Sequence, residues 1–236
     1  MTDLHLVSLA VEPAGLMRFA ANQGLLNYHD DAQGYAIHAW MAAMFGNLAP
    51  QPFRFLVKRN QVLGYAAADA ATLATQASTY ADPLSWAVLC PDSLASKPMR
   101  KDWGVGERLQ ADVLTCPVSR KDGNEKDVFL RALDRLGDQA PPRPSVYVQW
   151  MERQWGEAVD LERIELTGFG RTRIMRRSQK TQLQTTRAVR EMERPFAEFR
   201  TVFRVREPDA FQALLARGIG RHRTFGFGML LLSAPS

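Results

Sequence analysis

Residues Gly218 to Gly228 read GIGRHRTFGFG, two pairs of glycines with three basic residues between them, set between a short amphipathic pattern and the apolar run Met229–Ser233. That pattern leaves the backbone little choice. Glycine reaches positive φ and lets a second backbone approach closely, and the amides of such a turn can converge on an anion. Pro208 suits the first turn of the preceding helix and Gly218 suits its end. The expected order is therefore helix, basic glycine turn, strand, with Arg221, His222 and Arg223 making the turn attractive to phosphate. A bare tight connection would also use the glycines, and the basic residues between them are what favour an anion. Neither common phosphate fingerprint is matched, because no Lys-Ser/Thr follows the glycines and no long helix does. A nucleotide cofactor is not expected, nor any other.

The 236 residues suffice for one large domain or two small ones, and two are expected. No apolar run approaches the roughly 20 residues that span a bilayer. The start, Met1-Thr2-Asp3-Leu4-His5, lacks a basic leader followed by an apolar stretch, so a cytoplasmic protein is expected. Cys90 and Cys116 have no metal-like spacing and read as reduced thiols. Net charge is only +5, yet Arg163 to Arg206 holds twelve Lys/Arg against four Asp/Glu. That window carries +8 and the rest of the chain −3, which implies one basic face and a polyanionic partner, most often a nucleic acid. A merely solvated charged segment is the plainer alternative. Acidic lipid fits less well, since the window lacks an amphipathic helix with a bulky apolar face.

Hydrophobic periodicity predicts a strand over Leu4–Val11, a helix over Asp31–Phe45, a hairpin of Phe53–Val57 with Gln61–Ala67, a helix near Asp69–Ser78, and strands near Trp86–Cys90 and Arg108–Val118. This is the β-α-β-β-α-β order of a ferredoxin-like domain. Ser119–Asn124 reads as a polar turn and Glu125–Leu136 as a helix. Pro141, Pro142 and Pro144 then mark a boundary. Beyond them come a helix over Ser145–Glu157, an extended basic stretch Arg163–Arg177, a strand Glu198–Val205, a helix Pro208–Arg217 and a strand Phe227–Leu232. The fold class is α+β, with two ferredoxin-like (RRM-like) domains in tandem at residues 1–140 and 145–236.

On the helix around Tyr35-Ala-Ile-His38-Ala-Trp40, residues Ile37, Trp40, Met41, Met44 and Phe45 form an apolar stripe. His38 falls at its edge and Tyr35 roughly 60° beyond, so the two are i, i+3 neighbours. Ala39, Ala42 and Ala43 leave room on that outer side. An imidazole moves protons near neutral pH, and a phenol can orient or stabilise a reacting phosphate. A lone Tyr-x-x-His is also a common structural arrangement. His5, His29 and His222 have no metal-binding spacing, and His29-Asp30-Asp31 is read as a helix N-cap at Asp30 or Asp31 rather than a cation site. No metal is expected, and no serine elbow is present.

The pattern G-x-G-x5-G-x-G at Gly218, Gly220, Gly226 and Gly228, closing the chain after a βα unit, resembles the C-terminal loop of CRISPR RNA-processing endoribonucleases. The helix with Tyr35-x-x-His38 followed by Phe53–Arg59 is similar to the CasE branch of that repeat-associated (RAMP) superfamily. The resemblance implies a tandem ferredoxin-like RAMP fold that cuts precursor CRISPR RNA at the base of the repeat hairpin and stays with the product in a type I-E or type IV effector complex. His38 would be the general acid/base and Tyr35 its partner at the scissile phosphate. The RNA's own 2′-OH would attack, leaving a 2′,3′-cyclic phosphate and a 5′-hydroxyl without a metal. Gly218, Gly220, Gly226 and Gly228 with Arg221 and Arg223 would bind RNA backbone, and Arg171, Arg173, Arg176, Arg177 and Lys180 would grip the stem. Implied partners are the repeat RNA hairpin and other CRISPR effector subunits, with no membrane. A non-catalytic RNA-binding subunit of such a complex is the alternative.

Overall fold

The structure is a computed structural model and describes residues 3–25, 33–177 and 189–235. The chain folds into two compact units. The first takes Met1–Met99, Thr172–Arg194 and Thr224–Gly226, and the second takes Arg100–Arg171, Pro195–Arg223 and Phe227–Ser236.

The first unit begins with strand β1 (His5–Ala10), helix α1 (Pro13–Asn22) and helix α2 (Gly34–Phe45). Glu12 caps α1 by accepting from the Ala14 amide, and Pro13 fills its first turn. The predicted stripe on α2 holds, with Ile37, Trp40, Met41, Met44 and Phe45 all fully buried. The helix starts at Gly34, with Gln33 at its N-cap, and not at Asp31; His29, Asp30 and Asp31 lie outside the described residues. Strands β2 (Phe53–Leu56) and β3 (Gln61–Ala66) form the expected hairpin. Helix α3 (Ala70–Tyr80) is capped by Asp69, whose carboxylate accepts from the Thr72 amide at 2.8 Å.

The predicted strand at Trp86–Cys90 is not formed. Asp82 and Pro83 there nucleate a helical turn, α4 (Pro83–Trp86), with the Ser85 amide donating to Asp82 at 2.8 Å. The fourth strand is instead β4 (Ala95–Pro98), which is mostly exposed and carries little hydrophobic signal. Sheet order is β2-β3-β1-β4 and all pairings are antiparallel, with Val7 opposite Gly64 and Ser96. This is the ferredoxin-like arrangement, in which the first and third strands are central.

The second unit opens on β5 (Arg108–Thr115), the hairpin β6 (Val118–Lys121) and β7 (Asn124–Asp127), and helices α5 (Val128–Leu136) and α6 (Arg143–Trp155). The segment Glu125–Leu136 is thus part strand and part helix, because Asp127 caps α5 by accepting from the Phe129 amide. Long strands β8 (Val159–Arg177) and β9 (Val189–Val205), helix α7 (Pro208–Arg217) and strand β10 (Leu230–Ser233) complete the order. The sheet runs β10-β5-β9-β8. Numbering these four strands by their place in the chain gives the same 4-1-3-2 order as the first sheet, so the chain is a tandem ferredoxin-like fold with β6 and β7 inserted.

That topology explains why Pro141, Pro142 and Pro144 fall inside the second unit and not at its edge. Its central strand is β5, which pairs with β9 (Thr115 opposite Ala197) and with β10 (Val113 opposite Leu230). Residues 145–236 alone would lack that strand. Across the prolines, Arg143 and the Tyr147 hydroxyl both donate to the Asp127 carboxylate, the latter at 2.9 Å, tying α6 to the start of α5. No helix of the described residues is long and apolar enough to cross a membrane.

Candidate functional site

Helix α2 presents Tyr35 and His38 on adjacent turns, both half-buried, with ring centroids 6.3 Å apart and planes 51° apart. Beside them Ala39 and Ala43 are partly buried against the core, while Ala42 is exposed. Burial holds the His38 imidazole below its ordinary value near 6.5. A neutral imidazole is therefore favoured at neutral pH, which is the state that can accept a proton.

The glycine segment reaches this helix. Thr224–Gly226 belongs to the first unit, and Phe225 stacks on Tyr35 with centroids 5.7 Å apart and planes at 26°. Gly34 permits the contact, since a Cβ there would stand 2.2 Å from the Phe225 carbonyl oxygen. Phe225 was invisible as a site residue in the sequence, where the glycines and arginines around it carried the signal.

Within the second unit the rest of the segment is a tight, closed turn. All four glycines have positive φ, 72° at Gly218, 74° at Gly220, 87° at Gly226 and 81° at Gly228, as the pattern required. The Ile219 amide donates to the Gly228 carbonyl at 2.8 Å, and the Gly228 amide donates to the Leu114 carbonyl of β5 at 2.7 Å. Gly228 also meets a steric demand, for a Cβ there would lie 2.2 Å from the Ile219 oxygen.

The basic side chains of the turn are engaged with protein groups. Arg221 Nε donates to Glu125 Oε2 at 2.7 Å, His222 Nε2 meets Glu125 Oε1 at 2.7 Å, and Arg223 donates to the Arg217 carbonyl at 2.6 Å. Glu125, at the second position of β7, is a second residue that the sequence pattern did not single out. Its signal was the Asp122-Gly123 pair, a strong hairpin turn, with φ of 50° and 76°.

The basic window is less uniform than its net charge implied. Arg200 pairs with Asp112, Arg204 with Glu162 and Arg206 with Asp160, all acids outside the window. Glu162 also accepts from Arg108, the residue opposite Arg204 across β5 and β9, so one carboxylate separates two facing cations. Its carboxyl is held low, chiefly by the hydrogen bond from Arg108. Along β8, Arg163, Arg171 and Arg173 are exposed on one strand face. Arg171 falls in the second unit, Arg173 in the first, and Arg176 and Arg177 end the strand. Lys180 lies outside the described residues. Among the described residues no three His, Cys, Asp or Glu side chains gather as a metal site.

The sequence profile described as CRISPR associated protein matches residues 4–234. The chain belongs to this CRISPR-associated family. Solved structures of similar fold include the CRISPR endoribonuclease Cse3 bound to 19 nt RNA, with a TM-score of 0.64 and 16% identity over 98% of this chain and 99% of that one. Thermus thermophilus Cse3 bound to an RNA representing a pre-cleavage complex aligns with a TM-score of 0.63 and 17% identity, again over 98% and 99%. Cas6e from Escherichia coli str. K-12 aligns at 0.55 and 14%, over 98% and 100%. At such identities the likeness of this CRISPR-associated protein to each is one of fold. A search of curated protein sequences gives no match.

Proposed function

We propose that this CRISPR-associated protein is an endoribonuclease that cleaves precursor CRISPR RNA at the base of the repeat hairpin, without a metal, and remains with the product in an effector complex. The observation that carries the reading is the grouping of His38, Tyr35 and Phe225, in which the glycine segment's aromatic ring supports the phenol next to a depressed imidazole. Family membership and a fold similar to RNA-bound Cse3 support the substrate class.

In this scheme neutral His38 takes the proton from the ribose 2′-OH as that oxygen attacks the adjacent phosphorus. The bond to the 5′-oxygen breaks, and the imidazolium can return the proton to that leaving oxygen. The products are a 2′,3′-cyclic phosphate and a 5′-hydroxyl. Tyr35 would donate a hydrogen bond to a non-bridging phosphate oxygen, where negative charge grows in the transition state. The turn at Gly218, Gly220, Gly226 and Gly228, with Arg221 and Arg223, would lie against RNA backbone, and Arg171, Arg173, Arg176, Arg177 and Lys180 would meet the stem through phosphates and shape. Incubation with repeat RNA in EDTA, with and without a 2′-deoxy nucleotide at the cut site, tests the scheme. Cleavage of the all-ribose RNA alone is expected, and cleavage of the deoxy substrate would sink it.

A further inference from the structure

The second unit contains a cleft of about 830 Å³ between α5, α6 and β6 that none of the assigned roles uses. Its polar wall is cationic. Arg131 and Arg135 stand one turn apart on α5, Arg153 projects from α6, and Lys121 ends β6. The one acid among the lining residues, Asp134, is paired with Lys126 at 2.5 Å. The side chains of Lys121, Arg135 and Arg153 are exposed and have no hydrogen-bond or ion-pair partner among the described residues.

Two of the lining residues carry buried polar atoms that no group among the described residues satisfies, Ser119 Oγ and Arg131 Nε. The guanidinium of Arg131 is otherwise fixed, donating to the Ser119 and Asn124 carbonyls at 3.2 and 2.7 Å. An unsatisfied buried donor costs about 1–3 kcal/mol and points to a missing acceptor. The floor is apolar, made by Val128, Ala132, Val146 and the buried Trp150. Cationic walls over an apolar floor fit a ligand that is anionic on one side and a flat apolar body on the other. The volume lies in the range of about 300–1,000 Å³ that holds small organic ligands. A nucleotide has that character, with its phosphate for the arginines and its base for the floor. A duplex stem keeps its bases stacked and paired and is met through its phosphates and shape, so the apolar floor suits an unpaired base instead.

We infer that this cleft binds an unpaired nucleotide of single-stranded RNA, through lining residues distinct from those assigned to hairpin contacts in the glycine turn, which it adjoins where Trp150 packs against Gly220. The inference rests on the RNA-processing reading for its ligand class and on the cleft's own chemistry for its location.

A labelled uridine octamer and a blunt repeat hairpin are titrated separately into the full chain and into the R135E/R153E variant. Both substituted side chains are exposed and have no partner among the described residues, so the variant is expected to keep the thermal midpoint of the parent. The octamer should lose at least tenfold in affinity while the blunt hairpin changes less than twofold. Photo-crosslinking of a 4-thiouridine octamer should label peptides within residues 119–154. Equal octamer binding by parent and variant, crosslinks confined elsewhere, or displacement of the octamer by a glutamate-rich peptide but not by AMP would overturn the site, the last in favour of a protein partner. Failure of the hairpin arm alone would count against hairpin processing and leave the cleft standing.

Discussion

Phe225 stacks on Tyr35 with ring centroids 5.7 Å apart, so the glycine segment near the chain's end supplies the aromatic support for a phenol on the second helix. The phenol's position depends on a residue that contributes no polar atom. Removing the ring by Phe225→Ala should lower single-turnover cleavage by about 2–13-fold, the equivalent of the roughly 0.5–1.5 kcal/mol that aromatic pairs contribute. Phe225→Tyr should retain most of the rate. Single-turnover assays at saturating protein separate this from any loss of RNA affinity.

Gly228 and Gly106 have nearly the same φ, 81° and 80°, but a Cβ at Gly228 would strike the Ile219 oxygen at 2.2 Å while one at Gly106 meets nothing within 4 Å. Alanine at Gly106 should therefore cost only the left-handed penalty, about 1–2 kcal/mol. Alanine at Gly228 should cost at least 2 kcal/mol more, by order of magnitude, because the closed turn must open. Urea unfolding of the two variants checks the difference, and RNA affinity should fall with Gly228→Ala alone.

Glu125 holds Arg221 and His222 through separate carboxylate oxygens, each at 2.7 Å, with the carboxylate side chain only 13% exposed. Glu125→Ala should destabilise the second unit by about 2 kcal/mol, typical of hydrogen bonds to charged groups. The same change removes the carboxylate partner of Arg221, so salt dependence of RNA binding should steepen as that cation becomes available to phosphate. Chemical denaturation and titrations at several salt concentrations measure the two effects.

His38 gives a pH signature of defined sign. Its folded pKa lies below the ordinary value near 6.5, so between those two values the unfolded chain binds a proton that the folded chain does not. Stability attributable to this residue is fully present above 6.5 and is lost as pH falls toward the folded pKa. Cleavage should follow the same group, rising through a midpoint below 6.5 and flattening above it. In His38→Gln both the acid-side stability loss and the acid limb of the rate should shrink, which denaturation and rate profiles between pH 4.5 and 8 (roughly the range where imidazole titrates) can resolve.

Much of the fold was legible where one element buries one clean stripe. The α2 core face, the α7 helix ended by Gly218 and the positive φ of the four glycines followed from residue chemistry alone. The errors share a cause. Edge strand β4 is largely exposed, so Ala-Ser-Lys-Pro shows no alternation, and the neighbouring apolar run Trp86–Cys90 drew the assignment instead. Strand β5 was legible as a strand but not as the centre of the second sheet, because its partners β9 and β10 lie some eighty or more residues on in the chain (by the registers Thr115 to Ala197 and Val113 to Leu230). For the candidate site, the closeness of Tyr35 and His38 was readable from i, i+3 spacing. Phe225 and Glu125 were not, since their roles arise from tertiary contacts with α2 and with the glycine turn.

Proton transfer by His38 is tested most directly by single-turnover cleavage of repeat RNA in EDTA, comparing the parent with His38→Ala at equal, saturating RNA occupancy. A rate reduced by at least 100-fold in the variant, with unchanged RNA affinity and a 2′,3′-cyclic phosphate as the parent's product, is the predicted result. Parent and variant cutting at the same rate, or no cutting by either until a divalent metal is added, would contradict it.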